Sequence, residues 1–321
     1  MMRGRNPPSS GYSLARVLRL PWAVMGGATR RRHLYAYLSI LPAILLIVLF
    51  TVYPVLYNLD LALHKNVLTQ PEQHPFTGIK NFADLFKNPG LRRSFKATAQ
   101  FTAAIVVGNT ILGVLIALLL NEKFLGAKVL QVLILIPWAI PVVMAGIIWR
   151  WMFAGNVGVI NGLLYSLGII DRYYSFFGNP TAAKMTLVVA RLWKDVPLAA
   201  ILLLATLQVV PHELYDAVKI DGGGAWATFR YVTFPFLRPT LTVLLILETL
   251  IGFITFDLVY VMTGGGPADA TALLAWYAYT EIFTHLNLGR GAALAFIIAL
   301  LTLVMAMFYF RTLRSEELYK E

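Results

Sequence analysis

Two short runs stand out for chemistry because charged side chains sit inside apolar sequence. Arg191, Lys194, Asp195 and Leu198 recur at offsets of three, four and seven residues, the spacing that gathers side chains on one helix face. Glu248, Ile251, Gly252 and Thr255 repeat the same offsets. A charged group at the centre of a membrane span costs about 2.5–3.5 kcal/mol, so such groups face a cavity or one another. Asp195 and Glu248 can accept from paired hydroxyls, Thr255 adds a hydroxyl, Gly252 leaves room, and Ile251 offers apolar contact. Together they suit a ligand rich in hydroxyl groups. A second reading stays open, in which Arg191 and Asp195 form an i,i+4 ion pair and Glu248 and Asp257 serve helix packing.

These runs must be held by elements that lie in lipid. Of 321 residues, 58% are hydrophobic and 13% charged, where soluble domains have roughly a quarter charged. With a mean hydropathy of +0.69, the chain reads as an all-α integral membrane protein. The net charge of +11 would suggest nucleic acid in a soluble protein, but here the cations flank apolar spans, so topology explains them and no nucleic-acid partner is expected. With no cysteine there is no disulfide and no thiolate site. There is no G-x-x-x-x-G-K-[ST] phosphate loop, no His-x-x-x-His metal spacing and no G-x-S-x-G elbow, so the chain is expected to carry no cofactor and no catalysis.

Residues 1–37 are arginine-rich and read as a cytoplasmic arm, with a short interfacial helix around Tyr12 to Met25. Six spans follow, at about Leu38–Leu59, Thr98–Leu120, Val129–Trp151, Ala182–Val209, Leu241–Met262 and Ala292–Phe310. Each is long enough, at about 1.5 Å per residue, to cross roughly 30 Å of hydrocarbon. They define a six-helix transmembrane domain over 38–311, with a cytoplasmic tail at 312–321. An even number of spans puts both termini on one side, and the Lys/Arg balance favours the cytoplasm. One segment resists that rule: Lys65 to Lys96 would lie outside yet carries Lys65, Lys80, Lys87, Arg92, Arg93 and Lys96. Pro42, Pro54, Pro137, Pro141 and Pro197 fall inside spans, where each removes a backbone hydrogen bond. Trp138 and Trp193 lie deeper than the interface that suits tryptophan.

The loop from Pro211 to Pro239 falls on the cytoplasmic side. Glu213 and Asp216 suit a helix N-terminus, where the macrodipole favours negative charge. Gly222-Gly223-Gly224 would stop that helix, and a second helix from Ala225 to Phe234 would stop at Pro235. Within the loop, Asp216-Ala217-Val218, three residues, Gly222, nine residues and Val232-Thr233-Phe234-Pro235 follow one another. This spacing resembles the EAA loop of ABC importer permeases, Glu-Ala-Ala, three residues, Gly, nine residues, Ile-x-Leu-Pro. The departures (Asp for Glu, Val for Ala, Val for Ile, Phe for Leu) keep the charge or the apolar character. ALLLN (117–121), LIPWAIP (135–141), LQVVPHELYDAVKIDG (207–222) and TGGGP (263–267) are similar to the carbohydrate-type permeases, the maltose, trehalose and glycerol-phosphate group.

The resemblance implies the six-helix type I ABC importer permease fold. It implies the transmembrane subunit of an ATP-driven importer of a disaccharide or oligosaccharide, multi-pass in a bacterial or archaeal cytoplasmic membrane with both termini in the cytoplasm. Its partners would be a second permease in a heterodimer, a cytosolic ATPase dimer holding ATP and Mg, an extracytoplasmic sugar-binding protein and membrane lipid. Tyr215, Asp216, Ala217, Val218, Ile220, Asp221 and Gly222 would couple to the ATPase. Arg191, Lys194, Asp195, Leu198, Glu248, Ile251, Gly252 and Thr255 align with the family's sugar-site positions, charged here where relatives carry amides, small residues and aromatics. From the residues alone, an ion-gradient-driven carrier with Asp195 and Glu248 as proton or cation sites is the alternative.

Overall fold

A computed structural model describes residues 27–70, 74–122 and 124–317, and the helix expected around Tyr12 to Met25 lies outside them. The chain divides into two compact units, 1–58 and 59–321. In the first, α1 (Gly27–Ile47) runs into a π-turn (Val48–Val52), from which α2 (Tyr53–Leu63) continues. The second unit holds α3 (Lys80–Lys87), α4 (Pro89–Asn121), α5 (Ala127–Leu133), α6 (Ile136–Ala139), α7 (Val142–Met152) and α8 (Val159–Ser166). There follow α9 (Pro180–Leu207), α10 (His212–Ile220), α11 (Ala225–Thr228), α12 (Phe234–Ile254), α13 (Asp257–Met262), α14 (Leu274–Phe283) and α15 (Leu288–Glu317).

Among the described residues, four helical stretches are long and apolar enough to cross a membrane: Tyr35–Leu63, Pro89–Asn121, Ala225–Ile254 and Leu288–Arg311. The third expected span is not one straight helix. It is two helices, Ala127–Ala139 and Val142–Met152, bent by 93° at Ile140-Pro141, where Pro141 cannot donate to the preceding turn. The remaining expected span is α9, whose 28 residues reach about 42 Å but carry Arg191, Lys194 and Asp195.

Proline decides three of the junctions. Helices α4 and α9 begin alike, with an asparagine cap followed by proline at the first helical position. Asn88 Oδ1 accepts from Gly90 N–H at 2.7 Å, and Asn179 Oδ1 accepts from Thr181 and Ala182 N–H at 2.9 and 3.0 Å. The expected stop at Pro235 does not occur. The π-turn Phe229–Thr233 lets Phe234 N–H reach back five residues to Phe229 O, which makes room for the proline ring, and the helix runs on from Ala225 to Ile254. The same register recurs before Pro54, where Tyr53 N–H donates to Val48 O.

Helices α4, α9 and α12 pack along one another and form the frame of the second unit. Lipid tails are as apolar as leucine, so van der Waals fit rather than hydrophobic transfer holds such helices. The contact is accordingly small-sided: a Cβ on Gly113 would stand 3.1 Å from Ala199 Cβ, and Ala117, Ala190 and Ala200 are buried. The deep tryptophan Trp193 is accounted for by packing, since it meets Trp149 edge-on at 5.7 Å while Trp149 stacks on Phe153 at 5.4 Å. Beyond α13, Thr263–Pro267 turns sharply, with Gly264 at φ +58° and Gly265 at φ +82°. A Cβ on Gly265 would lie 2.2 Å from Trp276 Nε1, whereas one on Gly264 meets nothing within 4 Å.

That contrast yields a test. Gly264→Ala is expected to cost about 1 kcal/mol for its positive φ alone, and Gly265→Ala a further 1–3 kcal/mol for the clash with Trp276. Thermal unfolding of the detergent-purified protein checks the order. Equal melting temperatures for the two variants would contradict the packing of this turn.

Candidate functional site: a buried charge cluster and an exposed connecting helix

The charged run on α9 is sealed between helices. Arg191 and Asp195 form a direct ion pair between Nε and Oδ2, with side chains 9% and 11% exposed. Lys194 turns the other way and donates from Nζ to Trp138 O at 3.1 Å. That carbonyl belongs to α6, where the break before α7 removes the N–H that would have met it. The ammonium therefore closes the end of the broken helix and satisfies both groups.

Facing α9 across the interior, Glu248 of α12 lies beside Asn109 of α4 and within electrostatic reach of Asp195, Arg191 and Lys194. The two runs read from the sequence thus meet. Glu248, Asn109 and Thr102 are 8%, 2% and 5% exposed, and Glu248 Oε2, both Asn109 amide atoms and Thr102 Oγ1 lack a well-aligned hydrogen bond. The Asn109 amide is still within hydrogen-bonding reach of the Glu248 carboxylate, and the bonding capacity left over in this buried group marks a place where water or a ligand's hydroxyls would be welcome. Sequence reasoning missed Thr102 and Asn109; the available signal was an amide and a hydroxyl seven residues apart in the apolar span Thr98–Leu120.

The expected site residues divide by exposure. Arg191, Asp195, Glu248, Gly252 and Thr255 are buried, while Lys194, Leu198 and Ile251 are partly open. The space expected beside Gly252 is filled by α4, because a Cβ there would stand 2.5 Å from Thr102 Oγ1. Thr255 falls just past the helix end at Ile254 and donates to Ile251 O at 2.8 Å. Asp257 starts α13 beyond that break and is exposed. The carboxylates, guanidinium and amide present here can donate to and accept from hydroxyl groups but hold no paired nucleophile and base.

The second feature is α10, which joins α9 to α11. No residue of α10 is buried, although it carries Leu214, Val218 and Ile220; Ile220 is 86% exposed. Its glycine stop is as expected. Gly222, at φ +78°, donates to Lys219 O at 3.0 Å and Gly223 to Val218 O at 2.8 Å, the two bonds of a Schellman motif. Of the expected coupling residues, Tyr215 lies against His212 and Val218 against Gly223, and both are half-buried. Asp216 pairs with Lys219 at 3.4 Å, and Ala217, Ile220, Asp221 and Gly222 face outward.

Comparison with known proteins adds four findings. Residues 109–314 match the family described as binding-protein-dependent transport system inner membrane component. The chain is 36% identical over 278 residues to the trehalose/maltose transport system permease protein MalF of Thermococcus litoralis, covering 86% of this chain and 92% of that protein. It is 34% identical over 285 residues to the sulfoquinovosyl glycerol transport system permease protein SmoG of Agrobacterium fabrum, covering 89% and 92%. A chain in the crystal structure of a bacterial ABC transporter importing the acidic polysaccharide alginate superposes with TM-score 0.77 at 21% identity, over 89% of this chain and 96% of that one, a likeness of fold.

Removing one partner of a buried ion pair strands the other. Arg191→Leu or Asp195→Leu is expected to destabilise by about 3–5 kcal/mol, and the double variant by much less. Unfolding midpoints of the three purified variants decide this. A double variant as unstable as the sum of the singles would show that the pair is not the source of the loss.

Proposed function

The chain belongs to the family of binding-protein-dependent transport system inner membrane components, and we propose that it is the membrane subunit of an ATP-driven sugar importer. The observation that carries this reading is α10, a rigidly capped helix with exposed apolar residues set between two long helices. Leu214, Ala217 and Ile220 are all exposed along this one short helix, an apolar surface suited to a partner. That partner is a cytosolic ATPase dimer, which binds ATP and Mg and places α10 and both chain termini on the cytoplasmic side. The residues meeting it are Ala217, Ile220, Asp221 and Gly222, with Asp216 and Lys219 as exchangeable charges and Tyr215 and Val218 bracing the helix from within.

The substrate class is a disaccharide or short oligosaccharide. Two relatives above 30% identity are named for trehalose/maltose and for sulfoquinovosyl glycerol, and the buried cluster offers carboxylate, amide and hydroxyl groups. Asp195, Glu248 and Thr255 would accept and donate to sugar hydroxyls, joined by Asn109 and Thr102, with Leu198 and Ile251 against the ring, Arg191 holding Asp195, and Lys194 bracing α6 through Trp138 O. An extracytoplasmic binding protein would deliver the sugar, and a second permease would complete the pathway. Family membership favours this over an ion-gradient-driven carrier. The mechanism is mechanical. Closure of the ATPase pair pushes α10; the push reaches α9 through Pro211 and α12 through α11, and these two helices carry the charge cluster that must open and close.

Ile220→Asp and Asp216→Lys are expected to reduce co-purification of the ATPase about tenfold while membrane levels stay normal, the loss of roughly 1.4 kcal/mol of contact. Pulldown from native membranes measures this. Undiminished ATPase recovery with both variants would overturn the docking role. Glu248→Gln, which keeps the side-chain shape, is expected to lower the uptake rate of maltose or trehalose severalfold at unchanged protein level. Unaltered transport of every accepted sugar would make Glu248 a packing residue.

A further inference from the structure

The basic stretch that resists the topology rule finds a use in the fold. Lys80, Lys87, Arg92, Arg93 and Lys96 fall on α3 and the start of α4, with Asp84 as the one acidic residue between 80 and 96. Here α3, α4 and α15 enclose a cavity of about 620 Å³. Its walls include Phe82, Phe86, Phe95, Phe296 and Leu300, its floor is the fully buried Leu274, and its one polar lining residue is Arg92. Phe86 and Leu300 are 71% and 61% exposed, so the cavity opens sideways rather than into the bundle.

Depth separates the two chemistries. Arg92 sits in the first turn of α4, whereas Leu300 is twelve residues into α15, roughly 18 Å from that helix's start. Both α4 and α15 are membrane spans, so the guanidinium lies at the shallow end of a groove that continues into hydrocarbon. Arg93 is engaged by Asp269 at 3.4 Å, but among the described residues Arg92 forms no ion pair. Lys96, four residues on, shares its helix face and is also exposed.

We propose that this groove is a binding site for an anionic phospholipid. An acyl chain lies among Phe82, Phe95, Phe296 and Leu300, and the headgroup phosphate is held by the Arg92 guanidinium with Lys96 as the second cation. A guanidinium grips a phosphate through paired hydrogen bonds, and cations beside a span select anionic over zwitterionic lipids. The same contact gives Arg92 and Lys96 a role other than topology: they are matched by lipid phosphate.

Native mass spectrometry of the detergent-purified importer complex, given equal phosphatidylglycerol and phosphatidylcholine, tests this. Phosphatidylglycerol should be retained about five-fold better, the share of one cation near an anionic surface. Arg92→Ala, and independently Lys96→Ala, should bring the two lipids towards parity, while Leu300→Trp should cut retention of both by filling the groove. Both cations are exposed, so these variants keep the fold. Equal retention of the two lipids by the unaltered complex would overturn the proposal, as would an unchanged preference in Arg92→Ala. Displacement of the lipid by millimolar inorganic phosphate alone would make it a free-phosphate site. A photo-crosslink from position 86 to protein, with neither lipid retained, would make it a protein interface.

Discussion

In hydrocarbon, a polar group has only the protein itself to bond with, and this constraint shapes nearly every departure from regular helix in the chain. Lys194 reaches across to Trp138 O because the bend at Ile140-Pro141 has left that carbonyl without a helical partner. Before Pro54 and Pro235 the π-turns let the preceding residue donate five residues back, so the helix continues past a proline that has no N–H of its own. Threonines within the helices turn their hydroxyls back onto the preceding turn, as Thr249 does to Leu245 O and Thr302 to Ile298 O. Thr98 does so to Ser94 O and also accepts from Leu274 N–H, so one hydroxyl anchors the start of α14 on α4.

Where the constraint is left unmet, function is the physical explanation to consider. Glu248, Asn109 and Thr102 gather unsatisfied atoms between α4 and α12, next to an ion pair that supplies compensating charge. A fully satisfied network rigidifies a bundle, whereas a partly satisfied one stays responsive to water, to a ligand or to helix movement. Pro197, two residues beyond Asp195, removes a backbone bond from α9 just there. The helix nevertheless continues unbroken to Leu207, so the missing bond is absorbed within α9.

Much of this was legible before any coordinates. The long apolar runs announce helices and the glycines at 222–224 mark a stop, whereas the starts at Pro89 and Pro180, set by asparagine caps, were expected later, at Thr98 and Ala182. The meeting of the α9 and α12 runs was inferred from offsets of three, four and seven. The offset rule nevertheless overreached at Thr255, because the helix ends at Ile254 and periodicity has no meaning past a break. It also could not see Asn109, whose importance depends on a neighbour 139 residues away in the chain.

The amino-acid sequence by itself determined membrane class, helix content, the capped α10 and the spacing that marks the family, because each is set by composition or by contacts within a few residues. Tertiary structure decided the rest. Whether a proline stops a helix, bends it or is absorbed by a π-turn depends on what neighbouring groups can satisfy, which is why Pro235 is passed and Pro141 is not. Whether a glycine opens a space or admits another helix depends on the opposing side chain, and Thr102 fills the space beside Gly252. Whether a cation signals topology or binding depends on the surface beside it. For Arg92 that surface is an apolar groove that only the packing of α3, α4 and α15 creates.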